Sequence, residues 1–209
     1  LVSHLALSNS TTTTQDVPVQ LTWRAAESLE RMTLHAGMSG GPGYTARGAL
    51  HAQLWPFAPL PLQALSAELE GMDPAVWWRG APQAALKLQV DLTTKSEQAF
   101  ALSGPLQIIN TTPGPANRKR LPLRELTAAL AVDAHSLTLT QMQVLLGPSK
   151  QSERIRGSLH VDAAPEPRWQ AEVELDAVDL SALHDRMQPL VVSGPVSATS
   201  ARDEGKKGA

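Results

Sequence analysis

One serine could act as a nucleophile, because Gly37-Met38-Ser39-Gly40-Gly41 matches the G-x-S-x-G pattern of hydrolases. In that motif the serine lies on a strained turn between a strand and a helix, whose N-terminus helps to stabilise the oxyanion. Pro42 and Gly43 follow directly, so no helix begins where the mechanism needs one. We interpret the segment as a glycine-rich turn. Only a hydrolytic activity that is lost in Ser39→Ala would support the hypothesis that the chain is a hydrolase.

The histidines, the paired acids and one basic run are the other residues that could do chemistry. Glu172 and Glu174 share one face of one predicted strand, whereas a glycosidase needs two carboxylates across a cleft. The run Arg118-Lys119-Arg120 could contact phosphates, but a solvated loop explains it more simply. The six histidines stand singly, without the local spacing of a metal site: His4, His35, His51, His135, His160 and His184. We therefore expect no enzyme, no metal and no cofactor, with His51 and His160 solvated.

The composition excludes further classes of function. Of the 209 residues, 42% are hydrophobic and only 4% aromatic, and the absence of cysteine excludes disulfides, thiolate metal sites and cysteine nucleophiles. The formal net charge of −2 offers no basic face for nucleic acid. No apolar run approaches the ~20 residues of a membrane helix. The chain opens at Leu1 in a strand-like segment without a leader, so we read it as an internal piece of a longer protein.

Alternation with a period of two dominates the chain and predicts β-strands. In residues 84–94 four apolar side chains alternate with polar ones, and residues 169–177 repeat this pattern. Together with the opening segment, weaker copies bring the expectation to about ten strands of ~6–9 residues. These copies lie at 19–24, 32–36, 50–55, 100–108, 126–132, 137–146 and 155–161.

Helix is scarce in the predicted fold. The best candidate is 179–187, where Asp179 or Ser181 can cap the first turn and Pro189 ends the helix. A second, short helical turn is expected after Asp73-Pro74, with the proline at its first position.

The remaining pattern concerns connections and domain limits. Within 137–146 the apolar phase slips in mid-strand, which predicts a β-bulge or a bend. Residues 1–199 are predicted to form a single β-rich domain, and 200–209 a disordered tail. Exposed connections or turns are expected at 8–16, 39–43 and 113–122.

Two all-β architectures fit this pattern. The first is an elongated, curved antiparallel sheet, taco-like, whose open apolar trough is completed from outside; the alternative is a β-sandwich in which the same residues bury one another. Each methylene withdrawn from water contributes about 0.8 kcal/mol, so a trough covering ten chain carbons could hold a lipid by about 8 kcal/mol before costs. The residues that would line it are Leu86, Leu88, Val90, Leu92, Leu102, Leu130, Val132, Leu159, Val161, Val173 and Leu175.

Three segments carry a family resemblance. The first runs from Leu54-Trp55-Pro56-Phe57 through 61–65 to 69–75, and the second from Gly104-Pro105-Leu106 to Asn110 and on through 113–115 to 120–123. The third is the G-x-L style of Arg156-Gly157-Ser158-Leu159-His160-Val161. Over roughly residues 45–195 the chain resembles the TamB family, the translocation and assembly module subunits of Gram-negative bacteria, in the wider AsmA-like group. Asp73 stands where that family often has Asn before Pro-Ala, a change that keeps the turn chemistry.

The resemblance implies a setting and a function. TamB-like proteins are anchored in the inner membrane by an N-terminal helix, cross the periplasm, and form an elongated curved sheet with an apolar trough. They are implicated in moving phospholipids toward the outer membrane, and in assembling outer-membrane β-barrels with the partner TamA. The resemblance thus implies a periplasmic segment that shields phospholipid acyl chains, with no reaction catalysed.

Two other functions stay open from the residues. A chaperone-like scaffold would receive nascent β-strands at exposed sheet edges, and edge-to-edge self-association of the chain is expected for the same reason. A carbohydrate-binding or adhesive β-domain would need exposed aromatic platforms, for which Trp55, Trp77 and Trp78 are the candidates. One ring of Trp77-Trp78 is expected to pack as a lid over strand ends.

Overall fold

The computed structural model confirms an all-β fold, an elongated and curved antiparallel sheet with almost no helix. It describes residues 2–7, 17–27, 30–40, 44–58, 61–94, 101–147, 154–162, 167–184, 186–188 and 190–200. The predicted connection at 8–16, residues 41–43 of the predicted turn, and the tail from 201 onward lie outside the described residues.

The described residues form twelve strands that follow one another in a single sheet, each hydrogen-bonded to the next in chain order. Two of them, β5 and β12, are additional to the ten that were predicted, and the lengths run from 6 to 12 residues. The strands are β1 (Val2–Leu7), β2 (Val17–Glu27), β3 (Met32–Gly40), β4 (Arg47–Leu54), β5 (Leu62–Met72), β6 (Leu86–Thr94), β7 (Ala101–Asn110), β8 (Leu123–Asp133), β9 (Ser136–Leu146), β10 (Arg154–Asp162), β11 (Arg168–Asp179) and β12 (Val191–Thr199).

The register places the apolar positions of neighbouring strands opposite each other. Val90 in β6, for example, pairs with Ala67 of β5 and with Leu106 of β7. Because successive side chains of a strand point to opposite faces, this register gives the sheet one apolar face and one polar face.

Where the apolar alternation of the sequence slips by one residue, a β-bulge keeps the apolar side chains on one face of the sheet. In β9 the pairing with β8 shifts between Thr127 and Ala129, and Gln141 has φ of 51°, which confirms the irregularity predicted within 137–146. A second shift, in β11, lies between Leu175 and Val178.

The two helix predictions fared differently. The short turn after Asp73 is confirmed: α1 (Pro74–Trp77) begins with proline, and the Asp73 carboxylate accepts a hydrogen bond from the Ala75 amide. The helix over 179–187 is wrong, because β11 continues through Asp179 and only a 3₁₀ turn, Leu180–Ala182, follows. Asp179 does cap that turn, accepting from the Ser181 amide at 2.9 Å.

The two ends of the sheet carry connections of different kinds. We call the end where odd-numbered strands finish the loop end; it holds α1, the connection 111–122 with its 3₁₀ turn Ala116–Arg118, and the segment after β11. The opposite end, where even-numbered strands finish, we call the turn end. It holds the turns around 30–31, 55–61 and 134–135.

Candidate functional site

The apolar face forms continuous rows across the sheet. One row joins ten strands, β3 to β12, through directly paired residues: Met38, Gly48, Leu69, Leu88, Ile108, Leu126, Val144, Ile155, Leu175 and Gly194. A parallel row runs through Leu130, Leu139, Leu159 and Ala171. Such a surface can cover an elongated hydrocarbon chain without any reactive group.

The structure brings all eleven predicted groove residues to this one face. Val90, Leu92, Leu102 and Leu130 are buried and belong to a hydrophobic cluster with Ala128, Leu139 and Met142. The other seven are half-buried: Leu86, Leu88, Val132, Leu159, Val161, Val173 and Leu175. Their common face follows from the register, since each lies in phase with its partner on the adjacent strand.

On the apolar face the largest exposed fractions lie on β11 and β12 toward the turn end, whereas Val178 of β11, near the loop end, is 2% exposed. Leu102 in β7 is 4% exposed and Leu92 in β6 is 5% exposed. In contrast, Trp169 in β11 is 40% exposed and Val196 in β12 is 46% exposed. Among the described residues of β3–β12, the most accessible part of this face therefore lies on β10–β12, toward the turn end.

Several residues of the face escaped the sequence prediction. Those of β5 and β12 were missed together with their strands, among them Leu65, Leu69 and Val196. Leu139 and Met142 were recognised as apolar positions of β9 but were not assigned to the groove. The slip in the apolar alternation within 137–146 hid the alignment of these two residues with the other strands. The same slip could have revealed it, because a β-bulge returns the apolar side chains that follow it to the same face of the sheet.

A short pairing unit recurs along the sheet and explains the G-x-L style of the sequence. Each copy consists of three residues on one strand and the three residues that they face on the next strand. The first three are a glycine, a small residue and an apolar residue. The facing three are an apolar, an acidic and an apolar residue. The copies are 48–50 with 67–69, 104–106 with 90–92, 157–159 with 171–173, and 194–196 with 173–175. At Gly104 the need for glycine is steric, because a Cβ there would lie 1.8 Å from the Asp91 carbonyl oxygen.

The polar face is charged and solvated. Its main ion cluster joins three strands: Glu70 of β5 contacts Lys87 of β6 and accepts a hydrogen bond from Arg47 Nε of β4 at 2.6 Å. The side chains of Lys87 and then Arg47 hold the pKa of Glu70 below its usual value. Glu172 and Glu174 are both exposed on this face, as predicted for a solvated strand.

The residues considered for catalysis or metal binding are dispersed on this polar surface. Ser39 lies inside β3, paired with Gln20 and Arg47, so it is not on a strand-to-helix turn, and the turn predicted at 39–43 is wrong for Ser39 and Gly40. Among the described residues, no three His, Asp or Glu side chains cluster in a way that could hold a metal ion. The pair His35 and His51 face each other across β3 and β4, with ring centroids 4.5 Å apart. Sequence spacing could not reveal that contact, which depends on strand register.

His160, Arg118 and Lys119 are exposed as expected, and His160 hydrogen-bonds Thr138 through Nδ1 at 2.9 Å. Arg120 is half-buried in an isolated bridge to Gln83, which differs from a fully solvated basic run.

The connections at the loop end are joined to one another by hydrogen bonds. Trp77 donates from Nε1 to the Tyr44 hydroxyl at 2.6 Å, and Trp77 packs on that buried tyrosine, which confirms the expected aromatic lid. The Gln83 amide bonds the Lys119 carbonyl at 2.7 Å, and the Ala116 amide bonds the Leu183 carbonyl at 2.8 Å.

Asn110 is the centre of this capped end. It is 2% exposed, and its side chain accepts hydrogen bonds from the Ala85 and Thr112 amides while donating to the Leu121 and Leu123 carbonyls. Four polar groups, from two connections and the start of β8, are thereby satisfied by one buried amide, which fixes the loop end.

The fold and its site define a class: an open antiparallel sheet, with a continuous apolar face that is most exposed toward one edge. Comparisons with family models, with curated proteins and with solved structures find no match to this chain. No described helix is both long and apolar enough to cross a membrane.

Proposed function

We propose that this chain is a periplasmic segment of a TamB-like protein. In this proposal it shields phospholipid acyl chains in its apolar groove for transport between the inner and outer membranes. It also supports outer-membrane protein assembly with a TamA-like barrel, and the full-length protein is anchored in the inner membrane. The setting and the partner rest on the sequence resemblance, whereas the lipid class is supported by the molecule's own surface.

One observation carries the proposal: a row of directly paired residues without a polar side chain runs without interruption from β3 to β12. A sliding ligand needs a surface of this kind, with uniform contacts and no deep minimum. Burial of each methylene contributes about 0.8 kcal/mol, so binding grows with the length of the acyl chain. The polar headgroup would stay in water, because no charged side chain lies in the rows.

The exposure gradient specifies where contact begins. Leu88 is half-buried and has apolar side chains beside it on both neighbouring strands, Leu69 and Ile108. Val173 lies beside the exposed Val196 at the β12 side. We therefore place the first contact of a lipid on β10–β12.

Site-specific photo-crosslinking tests this function. A photoreactive amino acid is placed at Val173 and at Leu88, with Glu174 and Gln89 as matched controls on the opposite face of the same strands. After irradiation in cells, we expect covalently attached phospholipid at Val173, less at Leu88, and none at the controls. Absence of lipid at all four positions in folded protein would reject an acyl-chain groove. It would mean that the apolar face is an ordinary hydrophobic core.

A second candidate function, acceptance of a foreign β-strand, is favoured by the recurring pairing unit. Ser193-Gly194-Pro195-Val196 in β12 matches 103–106 in β7, and each faces a V-[DE]-L strand in the same register. β7 carries β8 on its other side, whereas β12 has no second partner among the described strands. Its free edge therefore has the character of an interior strand, suited to pairing with an added strand.

A peptide with the sequence of β8, Leu123–Asp133, tests strand acceptance. We expect the labelled peptide to bind the intact chain and to slow amide exchange in β12, and Ser197→Pro to abolish the effect by removing a backbone donor. A scrambled peptide that binds equally well would reject a strand-specific edge. Concentration-dependent sedimentation of the chain alone would show whether a second copy takes the same edge.

A further inference from the structure

The most exposed aromatic residue of the described chain lies at the turn end. Phe57, in the connection between β4 and β5, is 80% exposed, and the adjoining Trp55 is 37% exposed. The tip is closed by backbone bonds, from the Trp55 amide to the Pro61 carbonyl at 2.7 Å and from the Ala58 amide to the Trp55 carbonyl at 3.0 Å. A hydrogen-bonded connection that holds a phenyl ring in water needs a physical reason.

The chemistry of this tip is unusual for a surface loop. From Trp55 to Leu62 the sequence reads WPFAPLPL, in which the indole N–H is the only polar side-chain group. Beside it, the guanidinium of Arg31 lies 5.0 Å from the centre of the Trp55 ring. Tryptophan and arginine together suit the boundary between headgroups and acyl chains, with an apolar body below and a polar group above.

We propose that this tip, Trp55-Pro56-Phe57 with Arg31, inserts into the interfacial region of a phospholipid bilayer and docks the turn end of the sheet on it. The inference rests on the proposed function, because a protein that exchanges acyl chains with a membrane must be held beside it, and the tip would hold one flank of the sheet there. The tip adjoins the apolar face, since Leu54 and Leu62 pair directly at the start of that face.

The opposite end is built differently, which favours the turn end as the docking end. There the aromatic pair Tyr44 and Trp77 is hydrogen-bonded and packed inside the cap. Trp78 is exposed at that end, but Arg79 and Gly80 follow it, and Trp77 before it is packed on Tyr44.

The contact is confined to the tip. More distant turns of the same end carry Asp133 and Asp162, both exposed, which an anionic surface would repel. A protein partner would also use buried polar pairs, for which this tip offers almost no groups. We therefore commit to a zwitterionic lipid surface as the partner.

Flotation of the intact chain with phosphatidylcholine vesicles tests the inference. We expect the wild-type chain to float with the vesicles, in low salt and in 1 M NaCl alike, because insertion is apolar. Phe57→Ala should lower the partition coefficient roughly tenfold, as expected for one phenyl ring leaving the interface. Trp78→Ala, the matched truncation of an exposed aromatic at the loop end, should leave it within about twofold. Both variants should keep the wild-type circular dichroism spectrum, since both rings are solvent-exposed.

A wild-type chain that does not float, or equal losses in the two variants, would overturn membrane docking by this tip. Binding of a fluorescent fatty acid in solution separates this inference from the proposed function. Phe57→Ala should bind the fatty acid like the wild type. If no variant binds fatty acid but Phe57→Ala still reduces flotation, the proposed acyl-chain groove is rejected and membrane docking by the tip is supported. If fatty acid binds but the chain does not float, the groove is supported and docking by the tip is rejected.

Discussion

The strands β6–β9 and the strands β10–β12 share one apolar alternation and one recurring pairing unit, yet they differ in how much water reaches them. In the first group Leu92, Leu102 and Leu139 are buried in one cluster. In the second group Val173 and Leu175 are half-buried, and Val196 is exposed.

The difference teaches that burial in a sheet of this kind depends on neighbours on both sides. A side chain of β7 is flanked by apolar partners on β6 and β8, whereas one of β12 has such a partner only on β11 among the described strands. Stability should therefore reside in β6–β9, and accessibility to ligands in β10–β12. Each prediction below tests that division.

The largest effect should come from shortening a central side chain. Leu102→Ala removes a side chain that is 4% exposed and packs beside Val132, so we expect the free energy of unfolding to fall by about 2–4 kcal/mol. Val196→Ala, at a residue 46% exposed in β12, should cost below about 1 kcal/mol. Urea unfolding, with unchanged m-values, measures both losses. Equal losses in the two variants would contradict the division.

The next effect concerns the backbone of the central strands. An alanine Cβ at Gly104 would lie 1.8 Å from the Asp91 carbonyl oxygen, so the strands β6 and β7 must separate. We expect Gly104→Ala to lower the free energy of unfolding by about 1–3 kcal/mol.

The matched control for Gly104→Ala is Gly37→Ala in β3. There the new Cβ meets only the Thr22 hydroxyl at 2.9 Å, the end of a side chain that can rotate away. Its cost should stay within about 0.5 kcal/mol. Urea unfolding measures the free energy of unfolding of both variants. A loss in Gly37→Ala as large as that in Gly104→Ala would mean that glycine is needed throughout the sheet.

The sequence predicted the face of each side chain well and the limits of the strands less well. The alternation of apolar and polar residues was enough to place Leu88 and Val173 on the same face, because successive side chains of a strand point to opposite faces of the sheet. β5 was missed because its Ala, Leu and Glu residues are good helix formers, and β12 because Gly194-Pro195 interrupts its alternation. The false helix at 179–187 arose from local capping chemistry, which is genuine at Asp179 but yields to pairing of β11 with β12.

Exposure along the apolar face could not be predicted from the sequence. Leu92 and Leu175 occupy equivalent places in two copies of the pairing unit, yet only Leu92 is buried. What separates them is the number of apolar strands on either side, a property of the whole sheet. For the same reason the contact between His35 and His51 was invisible before the register was known.

Amide exchange should report the division as a gradient of opening. The amides of β7 and β8 should exchange with the free energy of global unfolding, because opening them exposes the buried cluster. Those of β12 should exchange at least about tenfold faster, through local opening of the edge. Hydrogen–deuterium exchange read by NMR measures both, and uniform protection across the sheet would contradict the gradient.

The smallest effect should be one of pH, at the link between β11 and β12. Hydrogen bonds from the Ser181 amide, then the Ser181 hydroxyl, hold the pKa of Asp179 below its usual 3.8, and the Leu190 amide adds to them. Because the folded pKa is the lower one, this stabilisation is present above the unfolded pKa and is lost as pH falls through the folded value.

Acidification from about pH 6 toward pH 2.5 should therefore lower the protection factors of the β12 amides, which compare the observed exchange rate with the intrinsic rate at the same pH. In Asp179→Asn these protection factors should already be lower at the higher pH and should change less on acidification. Asp133→Asn is the matched control, since Asp133 accepts similar bonds from His135 and Ser136 in the turn between β8 and β9 and has a similarly lowered pKa. There the buried side chains of both strands should hold the pairing in place when the turn weakens. Acid should thus loosen β12 before β8 and β9, and a reversed order would show that the turns, and not the apolar cluster, hold the central strands together.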